Sequence, residues 1–232
     1  MWTHREDDRI RPGQRMFQDR ADAGAKLATA LSAYRKSHPL ILGIPRGGVP
    51  VAYQIAKRLD ADLDVIVARK IVAPDHPELA IGAVAADGSS YTNARLRALS
   101  TLSGVAVARL TEAAREAAHA SEQHFRLGLA PIEPAGRVVI VVDDGLATGA
   151  TMIAALRALR RAGVENLVVA VPVGSSQACA SIARDVDALI CLFQPEPFHA
   201  VGAHYEHFEP CLEDEVQRLL IKQRNRAEQA SR

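Results

Sequence analysis

The residues of this 232-residue chain best suited to chemistry lie in one stretch, Val138-Val-Ile-Val-Val-Asp-Asp-Gly-Leu-Ala-Thr-Gly-Ala-Thr-Met152. Its apolar run has the length and branching of a buried strand. It delivers Asp143 and Asp144 to the strand's carboxyl end, where open parallel sheets bind ligands. Gly145, Leu146, Ala147, Thr148, Gly149, Ala150 and Thr151 then turn the chain into a helix. Their backbone N–H groups and two hydroxyls can converge on an anion, and the helix dipole adds to the attraction. The two carboxylates cannot serve that anion, so they need other partners, such as sugar hydroxyls or a metal carried by the ligand. A sugar phosphate with a divalent ion is the chemistry that fits.

Other phosphate and nucleophile loops are excluded. No Gly-Lys-Ser/Thr follows a strand, and Gly145-x-x-x-Gly149 is not G-x-G-x-x-G. The acid pair sits far from where a receiver domain carries it, and the G-x-S-x-G elbow is absent. Three further groups could take part. Arg46-Gly47-Gly48 follows a short apolar run, and its glycines suit a backbone that approaches oxygens closely. Arg69-Lys70 ends a second run. His199, His204 and His207 are spaced by five and three, which does not present three metal ligands on one helical face.

The elements that position these groups follow from hydrophobic periodicity. Ala23, Leu27, Leu31 and Tyr34 fall at helical spacing behind Asp19, a plausible cap. Leu40–Ile44 reads as a strand, Val51–Leu59 as a helix and Leu63–Ala68 as a strand, a βαβ rhythm that implies a parallel sheet. Residues 81–92 read as a hairpin around Asp87-Gly88, and 73–80 as a loop able to close over a site. Residues 94–128 carry apolar positions at steps of three and four, giving one long helix or a pair broken at Gly104. The α/β rhythm then resumes: strand Arg137–Val142, helix Thr151–Ala162, strand Asn166–Val173, helix Ser176–Arg184, strand Ala188–Phe193. The fold class expected is α/β, a mostly parallel sheet with helices on both faces and an inserted helical element at about 94–130. An N-terminal arm (1–16) precedes the domain at 17–222, and 223–232 reads as a flexible tail.

Composition narrows the function classes. Lysine and arginine number 28 against 27 aspartate and glutamate, a net charge of +1, which disfavours a nucleic-acid binder held by a basic surface. The longest apolar stretches are about eight residues, far short of the roughly 20 of a membrane helix. No signal-peptide pattern opens the chain, so a cytoplasmic location is expected. Cys179, Cys191 and Cys211 are odd in number and lack a CxxC pairing, which argues against a disulfide framework or zinc ribbon and for core filling.

The segment 138–152 resembles the phosphoribosyl-diphosphate (PRPP) motif of type I phosphoribosyltransferases, matching it at nearly every position. From Phe17-Gln-Asp-Arg-Ala-Asp-Ala-Gly24 to Phe198-His-Ala-Val-Gly202 the chain is similar to a bacterial group of that family with an unassigned acceptor. The resemblance implies a transferase that uses PRPP with Mg²⁺ and releases diphosphate. It gives Asp143 and Asp144 the ribose hydroxyls and Gly145–Thr151 the 5′-phosphate. Arg46, Gly47 and Gly48 would face the diphosphate, and Arg69-Lys70 would precede the mobile loop. The Mg²⁺ would travel with PRPP, near Asp143 and Asp144, with no direct protein ligand assigned. A homodimer is a family-level expectation, as is a small nitrogenous acceptor.

Two features depart from the pattern. Position 147 is alanine where members acting on 6-oxopurines carry an aspartate, which disfavours that route. About 97 residues separate Arg46 from Asp143, the surplus being the helical insert. A different class shares the fold, a non-catalytic sensor of PRPP or nucleotides that regulates transcription. The stretch 1–39 is too short for a winged-helix domain with its linker, which lowers that alternative.

Overall fold

The computed structural model describes residues 16–74, 76–99 and 102–230. Asp19 opens the first helix, α1 (Arg20–Ala30), by accepting a hydrogen bond from the Asp22 amide. A five-stranded parallel sheet forms the centre: β1 (Leu40–Gly43), β2 (Asp62–Val65), β6 (Val138–Val142), β7 (Asn166–Val173) and β8 (Ala188–Phe193), in the order β2-β1-β6-β7-β8. Alternate side chains of each strand enter two separate cores. Ile41, Ile140, Val142 and Val168 pack with α1, α2 (Gly48–Leu59) and α7 (Glu213–Ala230). Leu42, Val141, Val169 and Leu189 pack with α5 (Ala150–Arg161) and α6 (Ser176–Ile182). The α/β reading with helices on both faces is what the chain adopts.

That arrangement fixes where a ligand can sit. The β1 connection runs through α2 on one face, and the β6 connection runs through α5 on the other. Since β1 and β6 are neighbours, their carboxyl ends splay two loops apart, and this is the crevice where open α/β sheets bind ligands.

A second sheet is antiparallel: β3 (Ala68–Ala73), β4 (His76–Ala85) and β5 (Ser90–Thr92). The hairpin expected around Asp87-Gly88 joins β4 to β5. The strand expected over Leu63–Ala68 is divided instead. Its backbone is diverted by the insert, which is a short α3 (Ala94–Leu99) followed by α4 (Gly104–Arg126), with Gly104 at the start of the second helix. Glu122 accepts the Val67 amide at 3.0 Å and Arg126 donates to the Val65 carbonyl at 3.0 Å. After these two bonds the chain leaves the first sheet for the second. Most of the expected loop 73–80 is strand, since β3 ends at Ala73 and β4 starts at His76. The expected N-terminal arm lies almost wholly outside the described residues. At the other end α7 continues to Ala230, past the Gln223 boundary set for a frayed tail. Gln223 is buried and its side-chain amide donates to the Ala61 carbonyl at 2.9 Å.

Candidate active site

The β6 strand ends at Val142, and the next two residues bring their carboxylates together under the β1 loop. The Asp144 amide donates to Asp143 Oδ1 at 2.8 Å, which folds the first side chain back on its own backbone. Gly47 and Gly48 lie directly against this pair. A Cβ on Gly48 would stand 2.6 Å from the Val142 carbonyl and 2.9 Å from Asp143 Cα, and one on Gly47 would overlap the Asp144 carboxylate. Position 48 must therefore be glycine because of the β6 backbone opposite, and any side chain at 47 would displace the Asp144 carboxylate. The Pro45–Arg46 peptide is cis, and the Arg46 guanidinium meets no acceptor among the described residues.

Burial and mutual repulsion act on the acids in the same direction. Asp143 is pushed well above the usual carboxylate range, first by desolvation and then by the charge of Asp144. Burial also raises Asp144, and the Arg20 guanidinium opposes that rise. Arg20 comes from the first turn of α1. Its Nε donates to Asp144 Oδ2 at 2.9 Å, its Nη1 to the Glu209 carbonyl at 2.8 Å, and its plane lies 4.0 Å from the Phe208 ring centre. The Tyr205 hydroxyl donates to the Asp144 carbonyl at 2.6 Å. Asp144 is thus gripped from α1 and from the segment 194–209 that follows β8 and forms a hood over the crevice. The sequence around Arg20 gives that side chain no role by itself. Its only local signal is a cation one residue after a helix cap.

The loop from Gly145 to Thr151 is anchored at Leu146 and at the Ala147 carbonyl, which accepts the Ser175 hydroxyl at 2.8 Å, and is open around Thr148. Leu146 is buried, its amide donates to the Val173 carbonyl, and its carbonyl accepts the Ser175 amide, both at 2.8 Å. Gly145 packs under Val201 of the hood. Gly149 takes a left-handed conformation, φ 76°, to launch α5. Ala147 and Thr148 are exposed, while Ala150 and Thr151 are half-buried at the start of α5. Among the described residues the hydroxyls of Thr148 and Thr151 have no partner, and no side chain caps α5. The first turn therefore presents unspent donors, as anion-binding helix starts do.

Other expected site residues stand elsewhere. Arg69 and Lys70 do not end a strand. They lie within β3, where Arg69 donates to Ser121 Oγ of α4 and Lys70 is exposed. The three histidines do not converge. His204 is packed between Phe193 and Phe198, with ring centres at 5.5 and 6.0 Å, and His207 is exposed. Burial and the neighbouring His199 lower the His204 pKa.

Comparison with known proteins matches this architecture. Residues 10–192 fit the model of the phosphoribosyl transferase domain. A Mycobacterium tuberculosis H37Rv protein, Rv0571c, whose name assigns it provisionally as a phosphoribosyl transferase, is 42% identical over 211 residues. That match covers 89% of this chain and 46% of the relative, so the chain spans about half the length of the curated relatives it matches. The crystal structure of TT1426 from Thermus thermophilus superposes with a TM-score of 0.76 at 36% identity, covering 89% of this chain and 98% of that one. With its acid pair and open loop at the β1–β6 crevice, the chain belongs to the phosphoribosyltransferase family.

Proposed function

We propose that the chain transfers the phosphoribosyl group of PRPP, with Mg²⁺, to a nitrogenous acceptor. The C1′–O bond to diphosphate breaks, a C1′–N bond forms, and the acceptor's N–H proton is released. The observation that carries this reading is the juxtaposition of two acids sharing one cation, Arg20, with a loop of unspent amides and hydroxyls. Asp143 and Asp144 accept the 2′ and 3′ hydroxyls of the ribose, and Gly145–Thr151 holds the 5′-phosphate. The free Arg46 guanidinium and the Gly47 amide face the leaving diphosphate, where charge grows in an oxocarbenium-like transition state, whereas the Gly48 amide is spent on the Ile44 carbonyl at 3.0 Å and lends only its missing side chain. Donors already oriented toward that charge contribute about 3 kcal/mol each. Lys70 is a second cation for the diphosphate. Arg69 gives one of its donors to Ser121.

The acid pair fits a divalent ion carried by the substrate, since its hard oxygen atoms crowd together with a single counter-charge. When bound, the ion supplies Lewis-acid stabilisation of the diphosphate. Calorimetric titration of PRPP with Mg²⁺ into the protein tests the assignment. Saturable binding that Asp144→Asn weakens at least about tenfold, with the melting profile retained, supports it. Equal binding by the variant, or none by the folded wild type, removes it.

A further inference from the structure

Away from the crevice, the second half of α5 carries a cluster that the donor site does not use. Arg157, Arg160 and Arg161 line an open cleft of about 550 Å³ flanked by Asp185 and the Gly88–Ser90 turn of the antiparallel sheet. The three are exposed and lie at i, i+3 and i+4, so their guanidinium groups share one face. Arg160 is spent on Asp187 at 3.1 Å and the Asp185 carbonyl at 3.3 Å. Arg157 gives one N–H to the Ser90 carbonyl at 2.6 Å and lies 5.4 Å from the Tyr91 ring centre. Arg161 makes a long 3.4 Å contact with Ser89 Oγ. Among the described residues neither Arg157 nor Arg161 meets a carboxylate, so most of their N–H donors are free for a ligand.

A helix dipole accounts for cations in a last turn. It does not account for Arg157 a turn earlier, nor for a concave site facing all three. Forked guanidinium groups match phosphate oxygens bidentately, and the volume suits a ligand of nucleotide size. Arg161 also lines a second cleft, of about 610 Å³, whose walls include Leu159, Ile132 and Ala85. Arg157 and Arg161 lie roughly 10 and 16 Å along the helix from Ala150, at about 1.5 Å per residue, on the side away from the donor loop that the helix start faces.

We infer that this cleft binds an oligophosphate anion between α5 and the 86–90 turn, as a site separate from the donor crevice. One wall is the helix that begins at the donor loop, and the other is the sheet that holds Lys70. An anion bridging Arg157 and Arg161 to that turn clamps the sheet onto the helix.

The test is calorimetry of the full chain with inorganic triphosphate, in wild type, Arg157→Ala/Arg161→Ala and Arg46→Ala. Expected is saturable binding that the arginine pair variant weakens at least about tenfold and Arg46→Ala retains. Amide hydrogen exchange over residues 82–92 should slow on addition of triphosphate in the wild type and in Arg46→Ala, but not in the alanine pair variant. A second double variant, Arg157→Lys/Arg161→Lys, controls for folding and should recover part of the affinity. ATP that binds more tightly than triphosphate places its nucleoside in the cleft, and equal binding limits recognition to the phosphates; both uphold the site. Unchanged triphosphate binding in the alanine pair variant, its loss in Arg46→Ala alone, or no saturable binding overturns the inference. Because triphosphate is read directly, failure of PRPP to bind would strike the donor assignment and leave this result standing.

Discussion

Asp143 is ionisable in a place that resists its charge, and this sets function against stability at a single residue. Its raised pKa means that the folded state holds a proton more tightly than the unfolded chain does. As pH rises above the ordinary carboxylate value of 3.8, the fold loses stability until the raised pKa is passed. Asp143→Asn keeps the oxygen that accepts the Asp144 amide and removes the charge. The variant should melt higher than wild type near pH 7, by about 2–4 °C for each kcal/mol recovered, and lose PRPP binding. The difference in melting temperature should vanish as pH falls to about 4, which a series of thermal melts would show. Arg20 makes a complementary case. Arg20→Gln strips Asp144 of its one cation, and PRPP affinity measured by calorimetry should fall about 10- to 100-fold, as for a charged hydrogen bond lost. Arg20→Lys should recover part of it. The acids and loop were legible because strand, carboxylates and helix start are contiguous. Arg20 joins Asp144 from 124 positions away, and no local pattern encodes that distance.

At the level of elements, the helical insert is a buttress. Val107, Leu110 and Ala114 of α4 pack on Ile71, Ile81 and Val84 of the antiparallel sheet. Farther along the same helix, Arg126 Nε meets Asp64 Oδ1 at 2.9 Å, with Asp64 only 2% exposed. Asp64 also accepts the Ile132 amide at 3.0 Å, so one buried carboxylate ties β2, α4 and the following linker. Arg126→Ala leaves that charge buried without its cation and should cost about 3–5 kcal/mol in urea unfolding. A loss below about 1 kcal/mol would mean that the insert is an appendage. The helices of the insert and the break at Gly104 were visible as a period of apolar residues. Their partners were not, because Glu122 and Arg126 serve backbone groups that any helix could have left to water. The division of Leu63–Ala68 between two sheets was hidden for the same reason, since both sheets use the same residue types.

At the level of the whole molecule, the alternation of apolar runs and helical periods is enough to specify the parallel sheet and its two covering layers. The continuation of the C-terminal helix past residue 222 escaped that reading because the sequence there is strongly polar, and Gln223 carries no apolar signal while lying 3% exposed against β2's lead-in. Removing residues 223–232 should therefore lower the melting temperature by at least about 2–4 °C, the equivalent of one lost buried hydrogen bond. A truly frayed end would leave the melt unchanged. No helix among the described residues is long and apolar enough to cross a membrane.

The contact between Gly47 and Asp144 has a consequence for anyone transplanting this chemistry. Two loops almost a hundred positions apart in sequence occupy one another's side-chain space, so neither is a self-contained cassette. Grafting the β6 loop alone onto another parallel sheet would set its acids against whatever side chain the neighbouring loop carries, and any Cβ there would displace the carboxylate. The portable unit is the pair of adjacent strands with both of their loops, exchanged together.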